Sequence, residues 1–125
     1  MIAFGSAIDY LSSLDRYSVA QYENELLTLT TNRLKEIEGL RIIGNAKDKA
    51  GIVSFIIDGL NAMDVGMYLD TQGIAVRTGH HCTEPVMKRM NIPGTIRASF
   101  LFYNTPEEID DLIDGVRKAI ALLRK

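Results

Sequence analysis

The chain has 125 residues, of which 46% are hydrophobic and 24% charged, and its formal net charge is −2. This length and balance are typical of one globular domain that can bury a core of its own. The near-neutral charge argues against a nucleic-acid-binding surface, which needs a clustered excess of basic side chains. No stretch approaches the roughly 18 continuous apolar residues of a membrane span, so we expect no membrane partner.

The single cysteine, Cys82, cannot form an internal disulfide, and this favours a reducing compartment. The N-terminal sequence MIAFGSAIDYL lacks the basic region and the long apolar run of a signal peptide. We therefore expect the protein to be cytoplasmic.

The first half of the chain predicts two helices followed by two strands. The spacing of apolar residues indicates a short helix within residues 1–14 and a longer helix over residues 18–38, which Gly39 ends. The β-branched segments LRIIG (40–44) and GIVSFIID (51–58) predict two strands separated by a polar loop.

Residues 61–103 predict a helix, a short strand, a short helix and a further strand. NAMDVGMYLDTQG (61–73) has the pattern of a helix that Asn61 caps. IAV (74–76) predicts a short strand that leads into a loop, and TEPVMKRM (83–90) predicts a turn or two of helix. TIRASFLFY (95–103) predicts a further strand.

The last segment, residues 105–125, carries the strongest helix signal of the chain. Thr105 and Glu108 form a capping box, Pro106 takes the first helical position, and apolar residues recur every three or four positions. The order of elements predicts a two-layer α/β sandwich, a small sheet covered by helices.

We expect residues 1–125 to form a single domain. Within it, residues 1–38 are leading helices, and residues 39–125 are a small α/β domain that carries a cysteine loop at residues 77–86.

That loop brings the only cysteine next to the only two histidines, His80 and His81. A lone cysteine is most often a small buried hydrophobic residue. Arg77 and the predicted helix start after Cys82 both favour the ionised, nucleophilic thiolate, whereas Glu84 disfavours it. A histidine beside the thiol can accept its proton. The residues alone leave the buried and the reactive interpretations of Cys82 open.

Two further features of this region have competing interpretations. A His-His-Cys metal site is a weak hypothesis, because structural zinc takes four protein ligands and the chain has no second cysteine; we expect no metal. Arg77 and Arg97 are either members of surface ion pairs or forks for a substrate carboxylate. Arg97 lies within an otherwise apolar strand, where a charge requires a partner or a ligand.

The segments GIAVRTGHHCTEPVM and IRASFLFYNTPEEIDDLIDGV closely resemble the C-terminal part of the group II cysteine desulfurases. These are class V aminotransferase-family enzymes of the fold-type I pyridoxal phosphate group, and they include selenocysteine-lyase-like members. The resemblance extends over nearly the whole chain. Its specific motif is R-T-G-H-H-C with a proline three residues after the cysteine, since other relatives carry the cysteine on a longer, serine-rich loop.

The resemblance implies roles for four residues. Cys82 matches the nucleophile that takes the substrate sulfur as a persulfide, and Arg97 matches the arginine that holds the substrate carboxylate. Arg77 matches an arginine near the active site, and His81 would tune the nucleophile. Thr83 stands where the family often has alanine, and this leaves the choice between sulfur and selenium open.

The resemblance also implies that L-cysteine is converted to L-alanine with pyridoxal phosphate, in a homodimer, and that the sulfur passes to an acceptor protein for iron–sulfur cluster assembly. None of the lysines lies in a stretch like the family's cofactor-binding lysine motif. We therefore expect a C-terminal fragment that is inactive alone and binds no cofactor. The lysines are Lys35, Lys47, Lys49, Lys88, Lys118 and Lys125.

Three alternatives remain open at this point. In the first, the chain is a stand-alone persulfide relay or binding module, which an exposed Cys82 would favour. In the second, it is part of a selenocysteine lyase. In the third, it is a purely structural domain whose cysteine loop is mobile without its partner domain.

Overall fold

The computed structural model describes residues 2–124, which form five helices and four strands. The elements in chain order are α1 (Ile2–Ser12), α2 (Arg16–Lys35), β1 (Leu40–Ile43), β2 (Ile52–Ile57), α3 (Ala62–Thr71), β3 (Arg77–Gly79), α4 (Glu84–Met90), β4 (Thr95–Ser99) and α5 (Pro106–Leu123). The predicted extension of the first and last helices to Met1 and Lys125 lies outside the described residues. None of the helices within residues 2–124 is both long and apolar enough to cross a lipid bilayer.

Local capping signals fix the ends of several helices. Asn61 accepts a hydrogen bond from the backbone of Met63 at 2.8 Å and so caps α3. Thr105 and Glu108 form the predicted capping box of α5. The predicted start of α2 at Ser18 is wrong, because Asp15 accepts hydrogen bonds from Tyr17 and Ser18 and caps the helix earlier.

Two other predicted boundaries need correction. α2 ends at Lys35 rather than at residue 38, because the chain turns there towards β1. Gly39 lies in that turn with a φ of 75°, which glycine adopts freely. The strand predicted at 95–103 ends at Ser99, where the backbone passes into a turn that a hydrogen bond from Asn104 to Leu101 closes.

A fourth correction concerns β3, which lies three residues later than the predicted strand at 74–76. Ile74 and Val76 pack against the core instead, and the strand pairing begins at Arg77. The predicted loop at 77–86 is consequently shorter, since its first residues belong to β3 and its last to α4.

The four strands form one antiparallel sheet in the order β1-β2-β4-β3. Helices α2 and α3 pack on one face of this sheet, α5 packs against both helices, and all three share one core with the strands. This confirms the predicted two-layer α/β sandwich. Strand residues directed to this face are buried: Val53, Phe55 and Ile57 of β2, and Ile96 and Ala98 of β4. Because side chains alternate along a strand, the residues between them point to the opposite, open face.

The open face is defined by the side chains of Ser54, Thr95, Arg97, Ser99 and Arg77. Ser54 lies opposite Arg97 in the pairing of β2 with β4, and Arg77 lies opposite Arg97 in the pairing of β3 with β4. The register that buries Phe55 and Ile96 therefore also sets Arg97 on the open face.

Candidate active site

Cys82 lies in a tight turn formed by residues 80–83, here called the cysteine turn. The backbone N–H of Thr83 donates a hydrogen bond to the carbonyl of His80 at 2.8 Å, and the Thr83 hydroxyl donates to the same carbonyl at 2.6 Å. The φ angles are 51° at His81 and 59° at Cys82. A hydrogen bond across four residues and positive φ at both central positions are the features of a type I′ turn.

This turn places two side-chain-bearing residues in a conformation that glycine and asparagine usually adopt. The left-handed region costs an L-residue roughly 1–2 kcal/mol, and such strain is concentrated at functional sites. In this turn Cys82 is a free cysteine with an exposed side chain. Its exposure excludes the interpretation of Cys82 as buried hydrophobic filler.

The two neighbouring histidines differ in their surroundings. His80 is exposed, whereas His81 is half-buried and its Nε2 lies 2.9 Å from Oγ1 of Thr95. Burial lowers the pKa of His81 from its ordinary value, and the positive charge of Arg97 lowers it further, against a hydrogen bond with the Thr95 backbone that raises it. His81 is therefore a neutral imidazole near pH 7.

The two arginines lie side by side on the open face. Arg97 is half-buried, and its Nε is buried without a hydrogen-bond partner among residues 2–124. Within the same residues, ion pairs join Arg33 to Asp110 and Lys88 to Glu84, and neither includes Arg77 or Arg97. The interpretation of this pair as surface ion pairs therefore does not hold in the described part of the chain. Two guanidinium groups without an acidic partner form a site suited to a carboxylate.

The structure thus joins some of the expected site residues more closely than others. His81 and Arg97 are coupled electrostatically, and Arg77 contributes to the same field. No hydrogen bond within residues 2–124 joins Cys82 to either arginine. Sequence reasoning missed Thr95 and Ser54, although Thr95 is two residues before Arg97 and strand alternation places both on one face.

The described residues do not fit a complete pyridoxal phosphate site. All five lysines within residues 2–124 are exposed, and Lys88, the nearest to Cys82 in sequence, is paired with Glu84 at 3.0 Å. A cavity of about 580 Å³ beside the cysteine turn is lined by His80, Glu84, Met87 and Lys88, among others, but by neither Cys82 nor Arg97. Over the same stretch of chain, no group of three or more His, Cys, Asp or Glu side chains is arranged to hold a metal ion.

Comparison with known proteins gives relatives along almost the whole chain. It is 46% identical over 117 residues to a probable cysteine desulfurase of Streptomyces coelicolor, covering 92% of this chain and 28% of that protein. It is 40% identical over 123 residues to a cysteine desulfurase of Escherichia coli, covering 98% of this chain and 30% of that protein. The chain spans 17–30% of the length of the curated relatives that it matches.

Solved structures show the same fold. The apo cysteine desulfurase of Thermococcus onnurineus superposes with a TM-score of 0.85 at 37% identity, covering 91% of this chain and 29% of that chain. The S-sulfonic acid form of an Escherichia coli cysteine desulfurase superposes with a TM-score of 0.86 at 30% identity, covering 93% of this chain and 29% of that chain. These likenesses confirm that the sheet and its helices are part of a fold-type I architecture.

The family model described as aminotransferase class-V matches residues 1–112. The match includes the cysteine turn, both arginines of the open face and the start of α5. Because it extends over most of the chain, the sequence is a member of the class-V aminotransferase family.

Proposed function

We propose that the chain is the C-terminal part of a cysteine desulfurase, which converts L-cysteine to L-alanine and takes the sulfur as a persulfide on Cys82. The observation that carries this proposal is the exposed Cys82 in a strained turn, next to an open face with two arginines that lack acidic partners. The relatives named cysteine desulfurase support the same assignment.

Each site residue has a distinct role in this proposal. Arg97 binds the α-carboxylate of the substrate, because its half-buried guanidinium has a free Nε and no acid bound to it. Arg77, directly opposite on β3, adds positive charge at the same place. His81 is a neutral imidazole next to the nucleophile, in the state that accepts a proton.

The sulfur transfer balances as a nucleophilic displacement. The Cys82 thiolate attacks the substrate sulfur, a sulfur–sulfur bond forms, and the Cβ–S bond breaks with its electron pair left on carbon. That carbon takes a proton to complete L-alanine, and the terminal sulfur of the persulfide passes to an acceptor protein for iron–sulfur cluster assembly. The exposure of Cys82 permits an acceptor to reach this sulfur.

We place the pyridoxal phosphate of the enzyme on residues outside 2–124, since no buried lysine is present in the described part of the chain. In this division, residues 1–38 lead into a small domain of residues 39–125, and the whole enzyme is a cytoplasmic homodimer. The fragment alone should be inactive and bind no cofactor.

One experiment tests whether the cofactor is held by residues outside this chain. The purified chain is mixed with pyridoxal phosphate and L-cysteine, the absorbance of the cofactor is followed, and alanine is assayed. We expect no spectral change and no alanine. Alanine formation that Cys82→Ala abolishes would show that a complete site lies within these 125 residues, and the division would be wrong.

A second experiment tests the activity itself. The chain replaces the matching C-terminal part of the Escherichia coli relative, to which it is 40% identical. We expect the chimera to form alanine from L-cysteine and to lose this activity with Cys82→Ala, while cofactor absorbance shows that both forms are intact. A cofactor-loaded chimera that is as active without the thiol as with it contradicts the role of Cys82. The same chimera, given L-selenocysteine, distinguishes a desulfurase from a selenocysteine lyase.

The exposed Cys82 also favours a second function, that of a persulfide relay module. In that case the isolated chain accepts sulfur from a small persulfide donor without cofactor, and Cys82→Ser does not. Rapid sulfur loading of the chain together with an inactive chimera would favour the relay over the desulfurase.

A further inference from the structure

Thr95 connects the cysteine turn to the strand that carries Arg97. Its Oγ1 lies 2.9 Å from Nε2 of His81, and the residue is only 1% exposed. Thr95 and Arg97 are two residues apart on β4, so both side chains point to the open face. The contact is therefore a part-buried hydrogen bond between the residue before the nucleophile and the arginine-bearing strand.

The two ring nitrogens of His81 have different surroundings. Nδ1 is buried and has no hydrogen-bond partner among residues 2–124. A buried ring N–H without an acceptor is costly, so a proton on Nδ1 would be unfavourable. The Thr95 hydroxyl can accept a hydrogen bond from Nε2, and Nε2 is therefore the nitrogen that carries the hydrogen. A hydrogen on Nε2 of a neutral ring leaves Nδ1 as a bare lone pair.

The neighbouring charges favour the same arrangement. Arg97 and Arg77 both disfavour a second proton on the ring of His81. The turn adds a backbone constraint, because φ at His81 is 51° and the ring is held in place from a strained position. The contact of Nε2 with the Thr95 hydroxyl fixes the orientation of the ring.

We propose that Thr95 is a positioning residue of the site: its side chain holds neutral His81, the residue before Cys82, in the Nε2–H tautomer and leaves Nδ1 unprotonated. This deepens the proposed function, on which it depends only for the use that is made of Nδ1. The tautomer itself is a property of the chain without substrate or cofactor.

Nuclear magnetic resonance of the ¹⁵N-labelled 125-residue chain tests the proposal. The chain has two histidines, and exposed His80 is an internal reference for an imidazole that exchanges freely between tautomers. Long-range ¹H–¹⁵N spectra are recorded about 1.5 pH units above the ordinary histidine pKa of about 6.5. We expect a protonated Nε2 and an unprotonated Nδ1 for His81, and averaged nitrogens for His80.

Two substitutions separate positioning from folding. Thr95→Val keeps the shape of the side chain but removes the hydroxyl, and we expect His81 to lose its single-tautomer signature and to approach the averaged pattern of His80. Thr95→Ser restores the hydroxyl and should restore the wild-type signature.

Three results would overturn the proposal. A wild-type His81 that is protonated on Nδ1, or averaged like His80, overturns it. So does a folded Thr95→Val chain with an unchanged His81 spectrum. If Thr95→Val does not fold, the tautomer of the wild-type chain and the Thr95→Ser spectrum still decide. An inactive chimera would weaken the proposed function without changing the outcome of this test.

Discussion

Arg77 and Arg97 lie directly opposite each other on adjacent antiparallel strands, and no acidic side chain within residues 2–124 is paired with either. Like charges in this arrangement destabilise a sheet. On the other face of the same two strands, Thr78 of β3 lies opposite Ile96 of β4. The sheet therefore maintains a site of positive charge at the expense of its own stability, as expected for a surface that binds an anion.

The first prediction concerns this charge pair. Arg77→Gln should raise the free energy of unfolding by roughly 0.2–1 kcal/mol at low ionic strength, because it removes the repulsion from Arg97. Added salt should reduce the gain, since it screens the repulsion in the wild-type chain. Urea unfolding at low and high salt measures both effects. Arg41→Gln is the control, because Arg41 on β1 lies opposite Ile56; equal gains in the two variants would contradict the prediction.

The second prediction concerns the backbone of the cysteine turn. Cys82→Gly should be more stable than Cys82→Ala by about 1 kcal/mol, because glycine adopts a φ near 59° without strain and alanine does not. Both variants lack the thiol, so the difference in their urea midpoints reports the backbone alone. Equal midpoints would mean that the turn relaxes once the cysteine is removed.

The third prediction concerns pH. The pKa of His81 is lowered in the folded chain, so the folded state keeps the ring neutral while the unfolded state takes up a proton as pH falls below about 6.5. Stability is thus fully present above that pH and is lost below it. His81→Asn, which tolerates the left-handed conformation, should lose less stability than the wild-type chain between about pH 7.5 and about pH 5.5.

Urea unfolding at the two pH values measures this difference. His80→Asn is the matched control and should keep the wild-type fall, since His81 remains in place. A His81→Asn chain that loses as much stability as the wild-type chain would assign the pH dependence to other groups.

The fourth prediction concerns the close approach of β3 to the segment before β4. A Cβ on Gly94 would lie 2.9–3.0 Å from backbone atoms of Gly79, which cannot move independently of the strand. Gly94→Ala should therefore destabilise the chain by about 1–3 kcal/mol, the usual range for overpacking. In Gly115→Ala the added Cβ meets only the ends of the Ile74 and Leu69 side chains, so a smaller loss is expected. Thermal unfolding of the two variants makes the comparison, and a larger loss for Gly115→Ala would contradict it.

Sequence reasoning predicted the elements that have local signals. The capping box of Thr105 and Glu108 and the cap at Asn61 both identify a helix start without any knowledge of the fold. The motif around Cys82 identified the family, and the class-V match confirms it.

The features that depend on long-range pairing were not predicted. IAV at 74–76 has the composition of a strand, but pairing begins at Arg77 because β4 fixes the position of its neighbour. The opposition of Arg77 and Arg97 follows from the register between two strands that are separated by the cysteine turn and α4. The contact of His81 with Thr95 requires the same register and a turn whose positive φ values no composition rule indicates for His-Cys.

The register of β2 with β4 has a consequence for variation in this protein. A slip of one residue would bring Arg97 into the apolar layer and expose Ile96 and Ala98, so such a chain would not fold. Substitutions in the hydrophobic layer of the sheet should therefore lower the amount of protein in a cell rather than yield folded molecules with a displaced arginine. A genetic screen that measures the amount of protein separately from the activity per molecule should find that substitutions at these positions lower the amount alone.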